Sequence, residues 1–175
     1  KSPMDSPAIA ANDLSKDFRV GFTLRRKRIL HGLNLEVKRG EIFGYLGPNG
    51  AGKTTTIKLL MGLIFPTSGE ISLLGEKMGD SGVKSRIGFL PENPYFYDHL
   101  TGWEFMQYCS HLLGMDRASR GERIRESLDR LGIRDGAHTR LRRYSKGMVQ
   151  RIGLAQALLN DPDLIILDEP MSGLD

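Results

Sequence analysis

Two stretches of this chain carry residue types whose spacing could do phosphate chemistry. The first, Gly47-Pro48-Asn49-Gly50-Ala51-Gly52-Lys53-Thr54, fits the pattern G-x-x-x-x-G-K-[ST]. Glycines let a backbone wrap closely, so that successive N–H groups point inward at phosphate oxygens. A helix opening at this loop adds free amides and the positive end of its dipole. Lys53 would reach the β- and γ-phosphates, and Thr54 would place its hydroxyl on Mg²⁺. The second stretch, Leu164-Ile165-Ile166-Leu167-Asp168-Glu169, is an apolar run that delivers two acids. In open α/β sheets ligands sit at the carboxyl ends of strands. Asp168 is placed to hold the Mg²⁺ shell beside Thr54, and Glu169 to polarise a water for in-line attack on the γ-phosphate. A chance turn and an ordinary acidic strand exit are the plain alternatives. Four constrained loop positions arise by chance in a chain this long at about one per cent.

The elements needed to position these residues are visible in the hydropathy pattern. Leu33 to Lys38 alternates with period two and predicts a half-exposed strand, antiparallel in character. Ile42-Phe43-Gly44-Tyr45-Leu46 is a nearly continuous apolar run and predicts a buried central strand leading into the loop. Thr54 to Leu63 carries apolar residues at helical spacing, and Pro66-Thr67-Ser68-Gly69 ends that helix. Ile71 to Leu74 and Ile87 to Leu90 read as short strands. After Pro94 the pattern turns helical, over Trp103–Leu113, Ser119–Leu131 and Ser145–Asn160. Leu164 to Leu167 then reads as another buried strand.

The chain has 175 residues, one domain's worth, with 39% apolar and 26% charged side chains, which argues against a disordered tail. A single cysteine, Cys109, excludes an internal disulfide framework and fits a reducing compartment. No apolar run approaches the roughly 18 residues of a membrane-spanning helix, and the N-terminus lacks a signal peptide's apolar core. The chain opens at Lys1, which reads as a fragment. Net charge is only +4 but is segregated. Residues 16–40 hold eight bases and two acids, and residues 117–151 hold eleven bases and four acids. Arg25-Arg26-Lys27-Arg28 and Arg140, Arg142 and Arg143 invite a nucleic-acid reading. They lack interleaved aromatics, so a solvated face, or one turned to lipid headgroups or an anionic ligand, reads better.

Tyr144-Ser145-Lys146-Gly147-Met148-Val149-Gln150-Arg151 resembles the L-S-G-G-Q signature of ABC-type ATPases, followed by that family's Q-R. Ser145 and Gly147 match; Lys146 replaces a glycine, and Met148-Val149 occupies the place of the usual Gln and its successor. Ser145 is also a good helix N-cap on its own account. Met171-Ser172-Gly173-Leu174-Asp175 resembles the family's D-loop, with Ser172 and Asp175 at the dimer contact. Phe18 matches the aromatic that stacks on adenine, with core packing as its alternative. Ile87 to Glu92 resembles the Q-loop with Glu in place of Gln, a feature shared with ABC-2 exporter-type relatives; Glu92 would contact Mg²⁺ or the attacking water. The aromatics Tyr95, Phe96 and Tyr97 beside it suit either a docking groove for a permease helix or packing inside the helical insert.

The resemblance implies an α/β P-loop NTPase core with a mixed central sheet, an N-terminal antiparallel β subdomain and an inserted helical subdomain over roughly residues 95–155, within a single ATP-binding domain spanning 1–175. It implies binding of ATP and Mg²⁺, with Gly47 to Thr54 and Thr55 around the phosphates. Thr54, Asp168 and Glu92 would hold the metal, and Glu169 and Glu92 would be catalytic. Ser145, Lys146, Gly147 and Met148 would serve a second subunit's nucleotide. It further implies an ATPase powering a membrane transporter, peripheral on the cytoplasmic face of the membrane and partnered by a transmembrane permease. The family's switch histidine lies on a strand beyond the D-loop, and none of His31, His99, His111 or His138 stands in for it. A chain truncated there is expected to bind nucleotide weakly or turn it over slowly. An ABC-type ATPase acting on nucleic acid or ribosomes, or a binding-only fragment, are the competing readings. About fifty residues between Glu92 and Ser145 leave no room for the long coiled coil of repair and chromosome members.

Overall fold

A computed structural model describes residues 6–21, 25–78 and 81–169. They fall into two units, 1–84 and 85–175.

In the first unit, strand β1 (Ile9–Val20) pairs antiparallel with β2 (Arg25–Val37), whose C-terminal half is the alternating segment expected to be a strand. Bulges around Ala11, Leu14 and Lys16 shift the register, so Ile9 faces Val37 while Val20 faces Arg25. The other edge of β1 takes β3 (Ser68–Leu73), and β4 (Glu76–Lys77) closes the sheet in the order β2-β1-β3-β4. Leu14, Leu30, Val37, Ile71 and Leu73 are buried in this unit, as expected for a sheet with one covered face. Helix α1 (Lys53–Leu60) begins at the glycine loop and buries Thr56, Leu59 and Leu60. A single helical turn, α2 (Ser81–Lys84), ends the unit.

The central strand expected over Ile42–Leu46 is not formed. No ladder includes these residues, Ile42 is fully exposed and Leu46 is 92% exposed. An apolar run becomes a buried strand only when neighbours supply both its hydrogen bonds and its cover, and no described strand pairs with this one.

The second unit carries a parallel pair, β5 (Ile87–Leu90) and β6 (Leu164–Leu167), in register from Ile87–Leu164 to Leu90–Leu167. Between them run α3 (Gly102–Leu112), α4 (Arg117–Arg130) and α5 (Lys146–Leu158), with short 3₁₀ turns at Arg134–Gly136 and Leu141–Arg143. Thr101 starts α3 with a capping box: its hydroxyl accepts from the Glu104 amide at 3.2 Å, and the Glu104 carboxylate accepts from the Thr101 amide at 2.8 Å. Those bonds hold the Glu104 carboxyl below its ordinary pKa. Asp116 caps α4 through the Ala118 amide. One core unites the helices, with Met106, Ile124, Leu128 and Ile152 at its centre. Helix α5 comes close to β5: a Cβ on Gly153 would lie 2.6 Å from Leu90 Cδ1, and one on Gly88 would run into the Ala157 carbonyl. β6 is less buried than its composition suggests. Ile166 is buried, but Ile165 and Leu167 are exposed, because two strands alone leave much of their surface uncovered.

Candidate phosphate-loop site

The loop before α1 is shaped by its own bonds. The Ala51 amide donates to the Pro48 carbonyl at 3.2 Å, making a tight turn. Gly52 is the helix N-cap in a left-handed conformation, φ +90°, which glycine adopts at no steric cost. Its Cα side faces β2, where a Cβ would meet Leu30 Cδ2. The Thr56 amide and hydroxyl both donate to the Gly52 carbonyl, at 2.8 and 3.0 Å. The amides of Lys53, Thr54 and Thr55 precede the first intrahelical bond and lack intrahelical acceptors, and no acid lies in the first turn to occupy them. The Lys53 ammonium folds back over the loop, donating to the carbonyls of Gly47 at 2.7 Å and Pro48 at 3.1 Å. Amides without intrahelical acceptors and a lysine ammonium therefore belong to one short loop, the donor types an anion requires. Thr54 is exposed and Thr55 half-buried.

Phe18 is no core residue. It is exposed on β1 opposite Lys27, with Lys16 Nζ 5.2 Å above its ring. That Lys16 ammonium also donates to the Phe65 carbonyl at 2.6 Å, which fixes it in place.

In the second unit the carboxylates gather at one end of the parallel pair. The Asp168 amide donates to the Leu90 carbonyl at 2.9 Å, extending the ladder one rung beyond β6. Glu92, two residues past β5, and Asp168 and Glu169, directly past β6, thus leave the same edge of the sheet. Asp168 is only 8% exposed, whereas Glu92 and Glu169 are exposed. Glu169 has φ +49°, a left-handed conformation that costs a non-glycine residue about 1 kcal/mol or more.

The signature-like segment opens α5. Ser145 is its N-cap, as its sequence predicts, with Oγ accepting from the Met148 amide at 3.3 Å. Lys146 is exposed, Gly147 half-buried, and Met148 packs on the helical core. Tyr144 anchors the segment by donating its hydroxyl to the Gly136 carbonyl at 2.8 Å, and burial pushes that phenol's pKa up. Arg151 donates to the Gly132 carbonyl at 3.2 Å. Tyr144 and Arg151 were not singled out as anchors by sequence reasoning; a buried Tyr needs a partner for its hydroxyl, and that rule alone could have flagged the first. Of the aromatics beyond Glu92, Phe96 packs edge-on against Phe105 at 4.7 Å, while Tyr95 is 95% exposed and Tyr97 meets Tyr108 at 5.5 Å. Packing inside the helical insert is therefore realised by Phe96, while Tyr95 and Tyr97 stay at the surface. Ser172 and Asp175 lie outside the described residues.

The model of the ABC transporter family matches residues 30–172, which takes in the phosphate loop, the signature-like segment and the paired acids. This chain belongs to that family. An ABC transporter ATP-binding protein of Nostoc is 52% identical over 170 residues, covering 95% of this chain and 51% of that one. The bacitracin transport ATP-binding protein of Bacillus licheniformis is 41% identical over 172 residues, covering 97% and 53%. A bacterial ABC transporter cassette, solved as a dimer, superposes with a TM-score of 0.85 at 27% identity, covering 95% of this chain and 76% of that one. The chain thus has the α/β P-loop fold of ABC ATPases, including the N-terminal antiparallel sheet. It spans about half the length of the curated relatives it matches.

Proposed function

We propose that this chain is the ATP-binding part of a transporter's motor subunit, turning ATP and water into ADP and phosphate. The observation that carries the reading is the loop of residues 47–54, where a left-handed Gly52 opens α1, no acid occupies the helix's first amides and the Lys53 ammonium lies back over the loop carbonyls. In this reading phosphate oxygens replace the Gly47 and Pro48 carbonyls as acceptors for Lys53. Gly47, Pro48, Asn49, Gly50, Ala51, Gly52 and Thr55 line the triphosphate, and Phe18, exposed at the sheet surface, stacks on the base.

Thr54, Asp168 and Glu92 are the residues that would hold Mg²⁺. All three offer oxygen, the donor this hard cation takes. Among the described residues no three His, Cys, Asp or Glu side chains form a metal cage; that suits an ion held by one or two carboxylates together with phosphates and waters. When bound it would supply positive charge that offsets the charge on the phosphates. Glu169 orients the attacking water and takes its proton. Its left-handed backbone supports a functional constraint there, since strain of this kind gathers at active sites.

The Ser145 hydroxyl, the amides at the start of α5 and Lys146 would form an anion site for the γ-phosphate of a second subunit, with Gly147 and Met148 beside it. Ser172 and Asp175 would lie at the same dimer contact. The exposed Tyr95 and Tyr97 suit a permease segment; in this reading the assembly lies on the cytoplasmic face of a membrane. No described helix is long and apolar enough to cross one. The relative named for bacitracin transport supports transport as the output; the exporter branch rests on the resemblance at Glu92. In the same reading residues 1–175 form one ATP-binding domain with its helical subdomain over roughly 95–155.

Glu169→Gln tests the chemistry. Phosphate release should fall about 10²–10⁴-fold, the usual contribution of a positioned base, while nucleotide affinity changes little and Mg-ATP shifts the protein to a dimer in sedimentation. Turnover at the unsubstituted rate would remove Glu169 from the role of base.

A further inference from the structure

The β1–β2 hairpin carries charge that the proposed nucleotide chemistry does not use. Its described residues 16–21 and 25–28 hold six bases, Lys16, Arg19, Arg25, Arg26, Lys27 and Arg28, and one acid, Asp17. The ladder is regular here, pairing Asp17 with Arg28, Phe18 with Lys27, Arg19 with Arg26 and Val20 with Arg25. Alternation therefore sorts the side chains onto two faces. One face carries Asp17, Arg19, Arg26 and Arg28. The other carries Phe18, Val20, Arg25 and Lys27.

On the first face, Arg28 grips Asp17 with two bonds, 2.8 and 3.3 Å, and so neutralises the hairpin's acid. Arg19 and Arg26 stand directly opposite each other, and neither forms a salt bridge among the described residues. Directly paired like charges destabilise a ladder. Residues 18–20 and 25–28 are all exposed. The two facing guanidinium groups of Arg19 and Arg26 can each bind a phosphate in bidentate fashion, and neighbouring phosphates at one surface suit such a pair.

We propose that the Arg19/Arg26 face of this hairpin rests on anionic lipid headgroups, holding the subunit against the membrane. The hairpin's six bases together fall within the four to eight that such clusters beside a membrane carry, and Arg19 and Arg26 are the facing pair on this side. Nucleic acid fits less well, because a single-strand track needs interleaved aromatic platforms and Phe18, on the opposite face, is the hairpin's sole described one. The proposal takes only the identity of the surface from the transporter reading, and it requires no bound nucleotide.

Flotation of the purified protein with vesicles tests it, without nucleotide present. Binding is expected to phosphatidylglycerol mixed into phosphatidylcholine, to be absent with phosphatidylcholine alone, and to weaken as salt rises. Each base at an anionic surface contributes about fivefold in partitioning. Arg19→Gln with Arg26→Gln should therefore lose roughly 20–30-fold. Arg25→Gln with Lys27→Gln, on the Phe18 face, should lose clearly less. Absence of phosphatidylglycerol binding, or equal binding by the Arg19/Arg26 variant, would overturn the proposal. So would a DNA duplex or single-stranded RNA that binds more tightly than the vesicles at the same salt and is lost in that variant. Should the double variant fail to fold, salt-insensitive partitioning of the unsubstituted protein would be equally decisive against it. ATP affinity measured on the same samples keeps this outcome separate, since a failed ATP measurement would speak against the proposed function and leave the vesicle result standing.

Discussion

Replacing Gly50 and Gly52 with alanine, one at a time, separates two demands that the phosphate loop makes on its glycines. Gly52 has φ +90°, and an added Cβ would sit 2.7 Å from Leu30 Cδ2 and 3.3 Å from the Ile29 carbonyl oxygen. Gly50 has φ +84° but nothing within 4 Å of the same position. Left-handed backbone costs an L-residue about 1–2 kcal/mol at either site. Crowding is added only at Gly52, where Leu30 is itself buried, and overfilling such a space costs about 1–3 kcal/mol. Gly50→Ala should therefore lose about 1–2 kcal/mol and Gly52→Ala about 2–5 kcal/mol. If the loop keeps its shape the loss falls on folding stability; if the loop relaxes, the loss falls on nucleotide affinity, tenfold for each 1.4 kcal/mol. Urea denaturation and titration with a fluorescent ATP analogue, run on both variants, read the two parts. Equal total losses at the two positions would refute the argument that the packing of the loop on β2 shapes the phosphate cradle.

Two further substitutions probe the framework of the second unit. Glu104→Ala breaks the capping box and should destabilise the protein at neutral pH. Because the folded-state pKa of Glu104 is depressed, its contribution is present above the unfolded value and is lost as pH falls through the folded one. The gap between variant and unsubstituted protein in urea melts should therefore narrow below about pH 4; a gap independent of pH would contradict the carboxylate's role. Gln150 buries a side-chain carbonyl oxygen with no partner among the described residues. Gln150→Met should then be neutral or stabilising by thermal denaturation, and a loss well above 1 kcal/mol would show that this oxygen has a partner.

The local shape of the phosphate loop was more legible in the sequence than the sheet architecture. A glycine loop ending in Lys-Thr constrains its own backbone, so the turn at Pro48–Ala51, the left-handed Gly52 and the start of α1 all follow from local residue types. The Ser145 cap and the β5 and β6 boundaries were local in the same sense. β1 was not foreseen, because its bulges near Ala11 to Lys16 break the period-two pattern that would reveal it. The basic run Arg25–Arg28 read only as a charged face, yet it continues β2, since hydrogen bonding to β1 and not side-chain burial holds it extended. Ile42–Leu46 misled in the opposite direction: its composition suits a central strand, but strand formation depends on neighbours that local sequence does not encode. Glu169's left-handed backbone was likewise invisible, since residue type gives no warning of φ +49° in a glutamate.

Calorimetric titration of the purified protein and its Lys53→Ala variant with Mg-ATP bears most directly on the central claim. Lys53 is bonded only to the exposed mouth of its own loop, so the variant should fold normally. Saturable heat with the unsubstituted protein that disappears in the variant is the expected result. Identical isotherms for the two proteins would contradict a triphosphate seated at residues 47–54.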